Sequence, residues 1–431
     1  MASLSPVKLV VLGYLSYMLV GFLLLCLPIS QGQKHIRCLD NLFTSVSAVS
    51  TTGLVTVATN QYSIFGQIVI AALIQLGGIG YMTLGSFVIL SRGRDLSDLR
   101  SGISETVFSL PGGFRIDKFV RSVVIFTLVV EFFGAMVLYF VFRSGDVGCP
   151  LWCSIFHSVS AFCTAGFGLF SNSFELYSGN FWLNLIIGLL SLIGAMGFIV
   201  LVDVWRRLIG KIEHITFTSK IIIRMSIVLL VIGTFLLLIT EPAVRTMAAE
   251  KRLMVCAFQS MTAMTTVGFN TVPIDSLANS SLLILVFLMI IGASPSGTGG
   301  GIKSTSFTAV VALVKSALRQ EREVRLMGRR VPSYRLRAAM ATVAFYLFVL
   351  IWGIFALTLT ESKPFKDLFF ETASALGTVG LSTGITSSLS NLGKIITCLL
   401  MFVGRVGPLA FAIALVERPT KKDQASHDMA V

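Results

Sequence analysis

Hydrophobic and polar positions alternate along this chain in long blocks. Each of eight apolar blocks has at least the roughly 20 residues that a helix needs to cross a bilayer core of about 30 Å. A shorter stretch of Ser, Thr, Ala and Gly lies between the two blocks of each successive pair. The pattern predicts an all-α integral membrane protein with eight transmembrane helices, at residues 8–29, 65–91, 116–142, 180–205, 218–240, 280–316, 337–360 and 391–416.

The four short stretches share one pattern. Each begins with Phe, continues through small hydroxyl and Ala positions, and ends in Thr-x-Gly followed by Leu or Phe. The glycines are 113, 102 and 112 residues apart (53 to 166, 166 to 268, 268 to 380), so the chain reads as four diverged repeats. The four Thr-x-Gly segments, first to fourth, are Thr51, Thr52, Gly53 and Leu54; Thr164, Ala165, Gly166 and Phe167; Thr266, Val267, Gly268 and Phe269; and Thr378, Val379, Gly380 and Leu381.

Each short stretch can enter a membrane but cannot cross it, because about eleven helical residues rise only some 16 Å. The chain must then return in extended form, which is tolerated at membrane depth only where the backbone lines water or is buried in protein. Rings of backbone carbonyls can replace the water around a cation, and the negative end of each half-helix also favours cations. We predict four re-entrant pore helices around a central pore whose filter is the four segments. A helix-packing role for the small residues would not require the fourfold repeat.

A second shared mark, Gly-small-x-Gly in most copies, lies 24, 28, 24 and 24 residues beyond the segment glycines (77 − 53, 194 − 166, 292 − 268 and 404 − 380). The similar spacing predicts that the four copies of the mark lie at a common depth in the membrane, below the filter. Small residues there suit either helices that converge beside an open cavity or plain close packing. The four copies of the mark are residues 77–80, 194–197, 292–295 and 404–407.

The third copy continues into a Gly-rich stretch that cannot hold a helix. We predict a broken helix whose loop protrudes beneath the filter as a movable gate. A phosphate-binding loop would need Gly-Lys-Ser/Thr in succession, whereas Ile302 separates Gly301 from Lys303. The gate residues assigned here are Gly292, Ala293, Ser294, Pro295, Ser296, Gly297, Thr298, Gly299, Gly300, Gly301 and Lys303.

The fourth copy carries Arg405 in the middle of an apolar block. A cation at this depth costs about 2.5–3.5 kcal/mol even on the mildest insertion scale, so Arg405 needs partners. The loop carbonyls are the expected ones, and a fixed charge on the cation path would also hinder flow. We assign Arg405 to the gate; a purely structural role at helix ends is the alternative.

Composition supports a membrane protein: 55% of the 431 residues are hydrophobic, 13% are charged, and the mean hydropathy is +0.85. The net charge of +13 does not indicate nucleic acid, since most Lys and Arg fall in segments that alternate to one side. The positive-inside rule then predicts cytoplasmic N- and C-termini. The basic stretch 315–337 suits a cytoplasmic partner, although anionic lipid competes for it.

Candidate chemistry other than the pore is weak. The seven Cys and four His show no metal-ligand spacing, so we expect no metal other than potassium at the filter and no cofactor in this chain. No intramembrane nucleophile with a base is evident, so we expect no enzyme. Pairing of Cys149 with Cys153 stays open. The first apolar block lacks a leader's cleavage site and is expected to remain as a span. A coupled transporter would more often pair intramembrane acids, whereas these acids are scattered: Glu131, Asp203 and Glu371.

The four Thr-x-Gly segments, the Gly-rich break and Arg405 together resemble the Trk/Ktr/HKT superfamily of potassium transporters, and most of all its bacterial Ktr branch. The resemblance covers nearly the whole chain. It implies a multi-pass protein of the bacterial cytoplasmic membrane with four M1-P-M2 repeats. The repeats are 1–92, 116–208, 218–318 with the loop in its broken M2 helix, and 334–417, followed by a cytoplasmic tail, 418–431.

The resemblance further implies a homodimer in which each subunit has its own pore, controlled by a cytosolic octameric ring of KtrA-like RCK subunits that bind ATP or ADP. The implied function is potassium uptake through a gated, channel-like pore. Gly53 stands where sodium-transporting plant relatives carry Ser, which favours potassium; the effect of Ala165 on selectivity is open. Sodium activation is left open, and a sodium-coupled or sodium-permeable secondary transporter is the alternative function.

Overall fold

The computed structural model describes residues 6–80, 116–145, 147–295, 297–321, 323–409 and 411–412. These residues form a mostly α-helical protein with one short hairpin. The helices are α1 (Pro6–Cys26), α2 (Cys38–Val49), α3 (Ile64–Ile79), α4 (Ile116–Ser144), α5 (Pro150–Phe162), α6 (Phe181–Met196), α7 (Phe198–Leu208), α8 (Phe217–Thr240), α9 (Ala249–Thr265), α10 (Asn279–Ile290), α11 (Ser304–Leu318), α12 (Ser333–Thr360), α13 (Phe365–Gly377) and α14 (Asn391–Val406). The hairpin pairs β1 (Arg325–Leu326) with β2 (Arg329–Arg330), antiparallel, between α11 and α12. Single 3₁₀ turns lie at Pro28–Ser30, Thr59–Gln61, Glu175–Tyr177 and Thr386–Ser388.

Three helices of the described residues, in α4, α8 and α12, are long and apolar enough to cross a membrane, and the bent pair α6 and α7 would make a fourth. The apolar parts of α1, α3, α10 and α11 are shorter. Large apolar side chains point outward from the long helices: Phe132 is 66% exposed, Phe235 60% and Ile351 66%. Apolar surface of this kind is expected where a helix faces lipid.

The apolar blocks 180–205 and 391–416 are not continuous helices, so that part of the prediction is wrong. Helices α6 and α14 end at Gly197 and Gly407, whose φ angles are +83° and +92°. These angles lie outside the right-handed helical region, and the chain turns by 104° between α6 and α7. Helix α3 ends in the same way at Gly80; residues 81–91 of that block lie outside the described residues. Within 280–316 the predicted break is present, between α10 and α11.

The four short helices α2, α5, α9 and α13 carry the repeated stretches and are largely buried. Each packs against the apolar helix that follows it in the chain. Each also packs against the corresponding helix of a neighbouring stretch: α5 against α3, α9 against α6, α13 against α10, and α2 against α14. The last of these contacts joins the end of the chain to its beginning, so the packing closes a ring.

A buried ion pair reinforces the closing contact. The ammonium of Lys394 in α14 lies 2.6 Å from a carboxylate oxygen of Asp40 in α2, and the two side chains are only 2% and 4% exposed. Asp40 also accepts a hydrogen bond from Arg37. The charge of Lys394 is thus neutralised inside the protein.

Candidate functional site

The four Thr-x-Gly segments begin where α2, α5, α9 and α13 end, and each helix ends in the same pair of hydrogen bonds. The Thr amide donates to the carbonyl three residues back, at 3.1, 3.1, 3.3 and 3.1 Å. The next amide donates to the carbonyl five residues back, at 2.8, 2.8, 3.1 and 2.8 Å. This is the Schellman ending of a helix, which usually has glycine at its left-handed position.

Threonine occupies that left-handed position in all four segments. The φ angles of Thr51, Thr164, Thr266 and Thr378 are 52°, 50°, 59° and 50°. A β-branched residue rarely adopts such angles, and each costs on the order of 1–3 kcal/mol. Two residues later the glycines again have positive φ, from 67° to 95°. Four strained threonines at equivalent positions indicate that the fold holds these backbones in place.

The four glycines and their neighbours' carbonyls form a closed ring. A Cβ added to Gly53 would overlap the carbonyl oxygen of Ala165. The same overlap would occur between Gly166 and Val267, between Gly268 and Val379, and between Gly380 and Thr52. The segments therefore meet backbone to backbone in chain order, and each approach is close enough to exclude any side chain.

Side chains of the segments point away from this ring. The residues before the glycines (Thr52, Ala165, Val267 and Val379) are fully buried, and the residues after them (Leu54, Phe167, Phe269 and Leu381) are 1% exposed. All four glycines line a cavity of about 350 Å³ at one end of the segments. The ring thus offers backbone atoms to that cavity.

Two carboxyl groups, those of Glu175 and Asp275, lie on the wall of this cavity. Partial burial raises the pKa of Glu175 and the nearby Asp275 raises it further, while a hydrogen bond from Asn270 opposes the shift. The amide of Asn270 lies 2.9 Å from Glu175. The cavity is therefore acidic, which suits cations.

The Gly-rich loop (residues 292–301) lies against the opposite, Thr end of the segments. The hydroxyl of Thr298 lies 2.9 Å from that of Thr164, and Thr51 donates to the Thr298 carbonyl at 3.2 Å. Gly299 and Gly300 approach the hydroxyls of Thr266 and Thr378 too closely to admit a Cβ. The loop therefore touches all four threonines. Ser296 lies outside the described residues.

Arg405 binds this loop, as expected from its depth. Its guanidinium donates to the carbonyls of Thr298 and Gly77 and, at 2.9 Å, to the hydroxyl of Thr51. Lys303 turns back onto the loop and donates to the Gly299 carbonyl at 2.7 Å. The two cations are thus paired mainly with backbone carbonyls.

The second shared mark serves close packing in three copies. A Cβ on Gly77, Gly194 or Gly404 would overlap a carbonyl at the end of the short helix that precedes it. In the third copy Gly292 instead meets Gly300 of the loop. The alternative of an open cavity at these glycines is not what their contacts indicate.

Sequence reasoning missed the residue that follows Phe in the second and fourth repeats. His157 accepts a hydrogen bond from the Leu169 amide at 3.2 Å, just beyond the second segment. Glu371, fully buried, accepts from Thr386 and, at 2.8 Å, from Ser382, just beyond the fourth. These two residues share a position in the repeated pattern, and each anchors the chain where it leaves the ring.

The cysteines and the possible metal ligands also bear on the sequence expectations. Cys149 and Cys153, whose pairing the sequence leaves open, are free thiols. Within the described ranges, His, Cys, Asp and Glu form no group of three that could hold a metal ion.

The fold and the acidic, backbone-lined constriction define a helical membrane transport protein for cations. The chain belongs to the TrkH family of cation transport proteins, which matches residues 9–424. This is a family of transporters rather than of enzymes.

Relatives of similar length support the assignment. The chain is 32% identical to the Ktr system potassium uptake protein B of Bacillus subtilis, over 96% of this chain and 93% of that protein. It is 30% identical to the potassium/sodium uptake protein NtpJ of Enterococcus hirae, over 97% and 95%. Its fold is similar to the crystal structure of the potassium transporter TrkH from Vibrio parahaemolyticus, with a TM-score of 0.75, 20% identity, and coverage of 94% of this chain and 84% of that one.

Proposed function

We propose that this protein takes up potassium across the bacterial cytoplasmic membrane through a channel-like pore, built from four M1-P-M2 repeats at 1–92, 116–208, 218–318 and 334–417. The observation that carries the proposal is the closed ring of four glycines and four neighbouring carbonyls. It supports the assignment of the four Thr-x-Gly segments as the selectivity filter.

The ring has the parts that cation selection needs. Backbone carbonyls can replace the water that an ion sheds, and the ends of four short helices direct partial negative charge toward the centre. The hydroxyls of Thr266 and Thr378 are buried and have no hydrogen-bond partner among the described residues. They supply further oxygens at the inner end of the filter. The acidic cavity would gather cations at the outer end.

We assign the Gly-rich loop, with Lys303 and Arg405, as the gate. The loop touches all four filter threonines, so an ion that leaves the filter meets it directly. The Arg405 guanidinium adds a fixed positive charge at the same place. Passage then requires the loop to leave this position, which makes the rate of transport controllable.

Potassium as the substrate is supported by the names of the relatives and by Gly53 in the first segment. One relative is named a potassium/sodium uptake protein, which favours a sodium-permeable or sodium-coupled transporter as the second candidate. Two relatives are named as parts of a "Ktr system", which favours a separate regulatory subunit. We propose that this subunit is a cytosolic RCK ring that carries the nucleotide. We also propose that the membrane subunit is a homodimer and that both termini, including the tail 418–431, are cytoplasmic.

Flux into liposomes tests the function. Potassium entry is measured under a potassium gradient without sodium, for the full chain and for a variant that lacks residues 294–300. We expect passive entry, faster in the shortened variant. Entry that depends on added sodium would favour the second candidate, and no entry by either reconstituted protein would contradict the proposal. Equal entry by both would contradict the gate alone.

A further inference from the structure

A buried carboxylate lies behind the second Thr-x-Gly segment. Glu131 of α4 is 5% exposed, and its carboxylate accepts a hydrogen bond from the Gln75 side chain of α3 at 2.9 Å. The thiol of Cys163, at the end of α5, lies 3.7 Å from the other carboxylate oxygen and 3.4 Å from the Gln75 carbonyl oxygen. One carboxyl group therefore joins three helices at a single point.

This cluster is chemically unusual for its depth. An acidic side chain inside a membrane protein is costly unless it is paired, and such residues commonly serve function. The Glu131 carboxylate accepts hydrogen bonds from a neutral amide, that of Gln75, and from the Cys163 thiol. Gly78 packs directly on the Cys163 sulfur, so the cluster has no room for a larger side chain there.

The cluster connects to the Gly-rich loop along two routes. Gln75 lies two residues before Gly77, whose carbonyl accepts a hydrogen bond from Arg405, which in turn binds the Thr298 carbonyl. Cys163 directly precedes Thr164, whose hydroxyl pairs with the Thr298 hydroxyl at 2.9 Å. Both routes start at Glu131 and end at the same loop residue.

We propose that Glu131, acting through Gln75 and Cys163, is a positioning residue that holds the Gly-rich loop in its closed place and so limits the rate of potassium passage. The inference rests on the proposed gate. By fixing the end of α3 and the end of α5 relative to each other, the cluster keeps Arg405 and Thr164 at the spacing that Thr298 requires.

Substitution of Glu131 tests the role. In Glu131→Leu the Gln75 amide and the Cys163 thiol lose their common partner, and we expect potassium flux per reconstituted protein to rise about two- to tenfold. In Glu131→Gln an acceptor for Gln75 remains, so flux should stay within about twofold of the unmodified protein. The potassium-to-sodium ratio should not change in either variant, because the filter backbone is untouched.

The matched control is Glu241→Leu. Glu241 is also a buried carboxylate, 3% exposed, but it accepts from the amides of Ala243 and Ala278 and has no hydrogen bond to the described loop residues. Its removal should leave flux per folded protein unchanged. If Glu131→Leu does not reach the membrane, Gln75→Leu with Cys163→Ala breaks the same contacts and carries the same expectation.

A double variant separates this inference from the gate. Glu131→Leu added to the variant that lacks 294–300 should raise flux no further, since the residue acts through the loop. A full additional rise, an unchanged flux in Glu131→Leu alone, or an altered ion ratio would overturn the inference. If potassium flux through the loop-shortened variant is no faster than through the full chain, the result contradicts the assignment of the loop as a gate instead.

Discussion

The guanidinium of Arg405 donates a hydrogen bond to the carbonyl of Thr298, although the two residues are 107 positions apart in the chain. The same guanidinium reaches Thr51 and Gly77. One cation on α14 therefore ties the Gly-rich loop to the first Thr-x-Gly segment and to the end of α3. The loop cannot move far without breaking these contacts, because Arg405 binds three separate parts of the chain.

Removal of this cation should weaken the closed arrangement. A hydrogen bond to a charged group contributes about 1.5–3 kcal/mol, so Arg405→Ala should raise potassium flux in liposomes roughly tenfold. Arg245→Ala is the control, since Arg245 is exposed and also donates to a backbone carbonyl, that of Ile239. Equal flux in the two variants would leave Arg405 with a structural role.

Gly268→Ser should reduce discrimination between potassium and sodium. Gly268 has a φ of +83° and faces the Val379 carbonyl, so a side chain there adds about 1–3 kcal/mol of backbone strain and separates the third segment from the fourth. Uptake of both ions is measured in a potassium-uptake-deficient strain, with Gly179→Ser as control because no atom lies within 4 Å of a Cβ at Gly179. An unchanged uptake ratio in Gly268→Ser argues against the filter assignment.

The ion pair between Asp40 and Lys394 should stabilise the closed ring of helices. Loss of one partner from a buried pair costs about 3–5 kcal/mol, whereas replacement of both by apolar residues is often tolerated. Lys394→Met should therefore lower the melting temperature in detergent, and Asp40→Leu with Lys394→Met should recover most of the loss. Glu323→Gln, at an exposed pair with Arg330, should change little. A double variant less stable than Lys394→Met would contradict this account.

Uptake should depend on pH at the acidic cavity. The raised pKa of Glu175 means that the group gains its proton at a higher pH than an ordinary glutamate. As the pH on the cavity side falls, Glu175 is neutralised early, attraction for cations weakens, and uptake from dilute potassium should slow. Glu175→Gln should be slow at every pH and lose this dependence, with the largest difference at low ionic strength. A pH profile identical in the variant would exclude Glu175 as its origin.

The periodic features of the chain were predictable, and the geometry of its contacts was not. Long apolar blocks and the fourfold Thr-x-Gly pattern predict helices and short buried stretches because both depend on local composition. The Gly-rich break between α10 and α11 is predictable for the same reason, since five glycines and one proline within residues 292–301 oppose a helix.

The remaining features depend on residues far apart in the chain. Gly197 and Gly407 read as packing positions inside an apolar block, and only tertiary structure shows that they stop the helix. The pairing of Lys394 could not be predicted because its partner, Asp40, is 354 residues away. Similarly, nothing local to Glu131 indicates its contact with Cys163.

The backbone ring also explains why the second segment can differ from the others. The residue before each glycine contributes its carbonyl to the ring and turns its side chain into the protein. Threonine, alanine and valine therefore all serve at that position, and Ala165 is a permitted variant rather than a defect. Mutational tolerance in this protein should follow the same division. It should be broad at the positions that contribute only a main-chain carbonyl, and almost absent at the glycine that follows each of them.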